Sequence, residues 1–181
     1  MTKFYLLIFS GLILFAGCKS ASKAYEKGNY ADAFELGVKK LQKDPDDWET
    51  RQLVQNAYNY AISNHEDRIR ILGNSRNDNR YAEIYREYLH MQDMYNTIRA
   101  YPNAFRQVRV NDYSSFLETY GEKSATVHIQ KAEQWLQEGT RTAFREAYHE
   151  YHLASNYLPH DFQLRRKKDS VYNLAVTKVL I

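Results

Sequence analysis

Residues 21 to 47 read ASKAYEKGNYADAFELGVKKLQKDPDD, and their spacing decides the fold. Ala21, Ala24 and Tyr25 share one helical face before Gly28 and Asn29 interrupt it. A second helix is expected from about Tyr30 to Lys43, because Ala33, Phe34, Gly37, Val38 and Leu41 fall three or four residues apart. Asp44 and Pro45 stop it, since proline lacks the N–H that the next turn would need. The stretch is therefore a hairpin of two antiparallel helices with small residues where their backbones approach.

Small Ala21, turn residues Gly28 and Tyr30, then Ala33, Gly37 and the exit Pro45 give the string a resemblance to a tetratricopeptide repeat. Lys40 departs from that pattern, standing where the repeat usually has alanine. Residues 33 to 67 also align with 147 to 181 at a constant offset. Ala33 meets Ala147, Phe34 meets Tyr148, Pro45 meets Pro159, Asp47 meets Asp161, Trp48 meets Phe162 and Arg51 meets Arg165. AYNYAIS (57–63) lies over VYNLAVT (171–177). This pattern reads as a degenerate duplication, with IQKAEQWLQEG, carrying Ala132, Trp135 and Leu136, as the first helix of the second copy. The connection from Gly139 to Ala147 is longer than the repeat pattern has.

Between the copies, helix is expected from Asp47 to about Leu72 through Leu53, Ala57, Tyr60, Ala61 and Ile69. GNSRNDN (73–79) is a loop. A long helix follows from Arg80 to Tyr101, with Tyr81, Ile84, Tyr85, Tyr88, Leu89, Tyr95 and Ile98 on its inner face. Pro102 ends it, NAFRQVRV suits a short extended linker, and Asp112 is placed to cap a helix starting near Ser114. The expected architecture is all-α: tetratricopeptide-like antiparallel hairpins in a short solenoid, repeat-like over 20–65 and 130–181, with a long helical hairpin inserted over 80–129. The apolar ending AVTKVLI suggests either a docked last helix or a boundary with more sequence beyond Ile181.

The amino terminus locates the protein. Lys3 precedes an apolar segment from Phe4 to Gly17, which as a helix reaches only about 21 Å against a hydrocarbon core of roughly 30 Å. Such a segment reads as a signal peptide over 1–17. Its end, FAGC, resembles the lipobox of bacterial lipoproteins, with Phe15 standing where that family more commonly has leucine. The resemblance implies cleavage between Gly17 and Cys18, a diacylglycerol on the Cys18 sulfur and acylation of the new amino terminus. Two or three acyl chains, at about 0.8 kcal/mol per buried methylene, hold a protein on a bilayer where one chain is marginal. Cys18 is the only cysteine, so no disulfide competes for it. Lys19 in place of aspartate leans towards the outer membrane, and the start GCKSASKAYEKGNY is similar to lipoproteins of the Bacteroidetes group.

Composition supports helix: 7 Gly and 3 Pro in 181 residues, with few β-branched runs. Sixteen tyrosines suit packing between helices, with the phenol reaching water; a sticky binding surface is the alternative use. The net charge of +3 is dispersed, which disfavours nucleic acid. The run Arg165, Arg166, Lys167, Lys168 is expected to solvate a helix. Histidines stand at 65, 90, 128, 149, 152 and 160; His149 and His152 share a face but have no convincing third ligand, so no metal is expected. There is no glycine-rich phosphate loop, HExxH motif or nucleophile elbow, and DPDD lacks the glycine and final glutamate of a calcium loop.

These readings point to a non-enzymatic envelope lipoprotein without cofactor, anchored by lipid and docking an envelope protein partner. Tyr25, Asn56, Asn59 and Trp135 are the candidate partner-binding residues, on faces that stacked hairpins leave free. Two alternatives stand beside this: a surface glycan-binding lipoprotein, similar to the starch-binding lipoproteins of gut bacteria, and the amino-terminal part of a larger envelope protein.

Overall fold

A computed structural model describes residues 20–176, so the leader, the Gly17–Cys18 cleavage position, the Cys18 anchor and the end of AVTKVLI lie outside the described residues. Eight helices occupy 80% of the described residues, and there is no strand among them. They are α1 Ala21–Glu26, α2 Tyr30–Lys43, α3 Trp48–Gly73, α4 Arg80–Arg99, α5 Pro102–Phe105, α6 Ser114–Gln137, α7 Arg141–Tyr157 and α8 Phe162–Ala175. The long helices pack on their chain neighbours: α2 on α1 and α3, α4 on α3 and α6, α7 on α6 and α8.

Helix α2 buries Ala33, Phe34, Gly37, Val38 and Leu41, the face its spacing predicts. Gly37 sets the distance to α3. A Cβ there would stand 2.5 Å from a methyl of Val54, which is fully buried. Asp47 starts α3, accepting the Thr50 N–H at 2.9 Å and its hydroxyl at 2.7 Å. Lys40 closes the turn from the other side, with its ammonium 2.7 Å from the same carboxylate. The departure from the repeat pattern at position 40 thus serves the cap of the next helix.

The second hairpin repeats the first in its joints. Lys27, Gly28 and Asn29 connect α1 to α2, and Glu138, Gly139 and Thr140 connect α6 to α7, with φ of 76° at Gly28 and 66° at Gly139. Only glycine adopts that conformation without a steric cost. The long connection expected after Gly139 is corrected: α7 begins at Arg141, capped by the Thr140 hydroxyl, so the extra residues form helix instead of loop. Asp44–Asp47 and Leu158–Asp161 then turn α2 into α3 and α7 into α8. Asp161 accepts the N–H groups of Gln163 and Leu164, as Asp47 accepts that of Thr50.

Other expectations shift in detail. On α3 the buried tyrosine is Tyr58, whereas Tyr60 is half exposed; on α4 Met91 and Met94 are buried and Leu89 is exposed. Pro102 opens α5, where its missing N–H costs nothing, so NAFRQVRV is only partly extended. Asp112 accepts the Ser114 N–H at 2.9 Å at the start of α6. Helix α6 is continuous, and the division expected at 129/130 falls inside it.

Backbone groups of the segment between α5 and α6 find partners on the helices beside them. Gln55 accepts the Arg109 N–H, the Tyr58 hydroxyl accepts that of Asn111, and Gln92 accepts that of Tyr113. Tyrosines fill the seam beyond it. Tyr88 stacks on Phe116 and Tyr120 at 4.7 and 5.3 Å, and Tyr85 meets Tyr157 edge-on at 5.2 Å. Among the described tyrosines only Tyr60 and Tyr172 are exposed.

Gly37→Ala should destabilise the protein by about 1–3 kcal/mol in chemical denaturation, since the clash with stiff, buried Val54 outweighs a helix-propensity gain of about 1 kcal/mol. Gly73→Ala, where a Cβ meets open space, should be neutral or stabilising. The hydrogen bonds from Lys40 and Thr50 hold the Asp47 carboxyl well below its ordinary range. Its stabilising contribution is therefore whole above the unfolded-chain value and lost as pH falls below about 4. Asp47→Asn should flatten the acid limb of the melting temperature against pH; an unchanged limb refutes the cap.

Candidate functional site

The first turn of α2 and the facing stretches of α3 and α4 enclose two adjoining concavities of about 410 and 330 Å³. Ala31, Asp32, His65 and Arg68 line both. Gly28, with its positive φ, turns the chain into α2 and lines the groove together with Tyr30 and Asp32. Helix α3 contributes Asn64, and α4 contributes His90, Asp93 and Thr97.

Inside the groove, His65 is held by Glu87, with Nδ1 2.6 Å from the carboxylate and both side chains largely buried. Arg68 reaches the same carboxylate at 3.5 Å, and the His90 ring lies 5.7 Å from that of His65, nearly parallel. Glu87 belongs to α4, so it bonds the two walls together while fixing the imidazole. A second clasp joins α6 to α7, where His128 lies 2.7 Å from Glu150 and packs its ring on Tyr157. Both pairs are separated by 22 residues, the reach across one helical hairpin here, but the duplication offset does not relate them.

The lining combines carboxylates, imidazoles, a guanidinium and two amides with the apolar surface of Phe34 and Met94 in an open trough. Such a surface can recognise a partner by hydrogen bonding and charge. Among the described residues there is no group of three or more His, Cys, Asp or Glu able to hold a metal. His149 and His152 are both exposed on α7, and His152 packs on Tyr148 at 6.5 Å.

The candidate residues named from the sequence lie elsewhere. Tyr25 is half-buried, edge-on to Tyr30 at 5.3 Å and to Tyr60 at 6.1 Å, while Tyr30 and Tyr60 stack at 4.9 Å. Desolvation in this cluster, with the neighbouring phenols Tyr60 and Tyr30, raises the Tyr25 pKa. Of the trio only Tyr30 lines the groove. Asn56 and Asn59 are exposed on α3, and Asn59 accepts a hydrogen bond from Gln55. Trp135 is partly exposed on α6, which meets the first hairpin's helices through α4. The groove residues missed from the sequence, His65 and His90, sit on different helices. The one available hint was His65 on the polar side of a helix otherwise ordered by small apolar residues.

The basic run on α8 does more than solvate. Lys167 bonds Glu133 of α6 at 2.8 Å, which raises the lysine pKa, and the Arg165 guanidinium lies over the Phe162 ring at 5.5 Å. Among the described residues no helix is long and apolar enough to cross a membrane. Compared with protein-family models, curated proteins and solved structures, the chain matches none.

The His65–Glu87 clasp should carry a coupling of about 0.5–3 kcal/mol in a double-mutant cycle of His65→Ala and Glu87→Ala, read by urea denaturation at neutral pH. Additive single changes would mean that the pair does not hold α3 to α4.

Proposed function

We propose that this chain is a non-enzymatic envelope lipoprotein, held on a membrane by acyl chains at Cys18, whose tetratricopeptide-like helical array docks an envelope protein. The observation that carries the reading is the repetition of one hairpin plan. Two runs of three helices are each joined by a three-residue turn with a left-handed glycine and a four-residue turn with a capping aspartate, and a trough of mixed polar and apolar lining lies open on α2, α3 and α4. A helix array of this kind buries one face on its neighbours and offers the rest to a partner. The trough's His65 and Arg68 are tied to Glu87, an arrangement suited to a fixed recognition surface. The lipid anchor rests on FAGC and on the single cysteine. The outer membrane is the proposed site, on the strength of Lys19.

The glycan-binding alternative draws on Trp48, which is 62% exposed as the first residue of α3. Quenching of Trp48 and Trp135 fluorescence by an oligosaccharide would favour it.

Affinity purification from the native envelope tests the docking reading. The wild-type chain should fractionate with membranes, carry a diacylglycerol-modified Cys18 by mass spectrometry and bring down one partner stoichiometrically. Cys18→Ala should leave the membrane and lose most of that partner. An uncleaved, unmodified leader sinks the anchor, and absence of any partner from lipidated protein sinks the docking role.

A further inference from the structure

The duplication supplies a template for a surface that the second hairpin leaves open. In the first hairpin Phe34 of α2 and Tyr58 of α3 face each other with rings 5.7 Å apart. The aligned pair in the second, Tyr148 of α7 and Tyr172 of α8, repeats that contact at 5.4 Å. Surroundings separate the two. Phe34 and Tyr58 are 1% and 4% exposed, in one apolar cluster with Met91, Met94 and Ile98 of α4. Tyr172 is 49% exposed, and with Tyr148, Ala175, Val176 and Arg145 it lines a concavity of about 430 Å³.

The first hairpin therefore shows what fits such a seat: an amphipathic helix presenting apolar side chains at the spacing of Met91, Met94 and Ile98. Differences between the copies state its charge. At the same offset, extended two residues towards the start of α7, Arg145 corresponds to Ala31, His149 to Glu35 and Lys168 to the buried Val54, against one acidic change, Asp169 for Gln55, so the second seat is on balance the more basic. Ala31 shares its concavity with Asp93 and Thr97 of α4, so a helix on the second seat would bring its equivalents of those positions near Arg145. A second copy pairing α8 against α8 would set Arg165, Arg166 and Lys168 against themselves, which like-charge repulsion opposes.

We propose that the α7–α8 face is the docking seat for an acidic amphipathic helix of a partner protein, held as α4 is held on α2 and α3. The proposal rests on the docking reading above and names the chemistry of its partner.

The test uses the full chain and two fluorescent synthetic peptides of residues 84–101 of this sequence, one bearing Thr97→Glu and one bearing Asp93→Lys. The acidic peptide should bind with a Kd of about 100 µM or tighter, and the basic one at least about tenfold more weakly. Tyr172→Ser, at an exposed position, should keep the helical circular dichroism and melting transition while weakening the acidic peptide by about tenfold or more. Arg145→Glu combined with Lys168→Glu should reverse the preference between the peptides. The proposal is overturned if neither peptide binds, or if Tyr172→Ser binds as the wild type does. Binding that emerges only after removal of residues 177–181, or a dimer in sedimentation that Tyr172→Ser abolishes, overturns it in favour of the chain's own end or a second copy. Equal recovery of an envelope partner by wild type and Tyr172→Ser also removes this face from docking while leaving the docking role intact. Peptide binding without any envelope partner supports the seat and counts against that role instead.

Discussion

At Gly37 the backbone of α2 lies so close to α3 that a single added carbon would meet a Val54 methyl at 2.5 Å. That approach brings Phe34 against Tyr58 and leaves Val38, Leu41 and Ala57 without exposed surface. Neither helix could keep these side chains from water alone, and short isolated helices are marginal in any case. The pair becomes a platform only when close contact and short turns hold it together. Helix α4 can then lay Met91, Met94 and Ile98 on it, and the later helices follow in chain order. The second hairpin solves the same problem with the sizes exchanged: Tyr151 occupies the position of Gly37 and is almost fully buried, while Lys168 replaces Val54.

Polar chemistry is concentrated where the helical plan is interrupted. The connector between α5 and α6 has no ladder of its own, yet Gln55, Tyr58 and Gln92 accept its backbone N–H groups from neighbouring helices. Buried backbone donors are seldom left without partners, so this lacing is what allows an irregular segment to lie against the core. Tyrosine suits the same borders. Its ring packs between α4, α6 and α7, and its hydroxyl can reach a backbone group or water at the edge.

Local signals in the sequence carried far where one interaction dominated. The face of α2 and its stop before Asp44 and Pro45 follow from spacing and turn chemistry, and the structure has both. Choices made by tertiary packing were not legible. Tyr58 and Tyr60 both fit a helical face, and only Phe34 and Tyr113 on one side select Tyr58 for burial. Leu89 looked apolar enough for the core, but flexible Met91 and Met94 fill the space over the first hairpin. The connection after Gly139 misled because a longer α7 and a longer loop insert the same number of residues. The groove was hidden for a related reason. His65, Glu87 and His90 acquire a common setting only once α3 and α4 are antiparallel neighbours, and no local spacing reports that.

Among the described residues the two hairpins differ most in what covers the aromatic pair between their helices. An internal hairpin of a helical array is covered on both sides, whereas a terminal one must carry enough charge outside to stay soluble. Helix α8 carries Arg165, Arg166 and Lys168, with Lys167 drawn towards α6. Solubility alone, however, would be served better by replacing the aromatic pair as well. Tyr148 and Tyr172 instead keep the ring contact of the buried pair, with Val176, Ala175 and Arg145 beside them. An apolar centre with a charged rim is the anatomy on which the proposed docking seat rests.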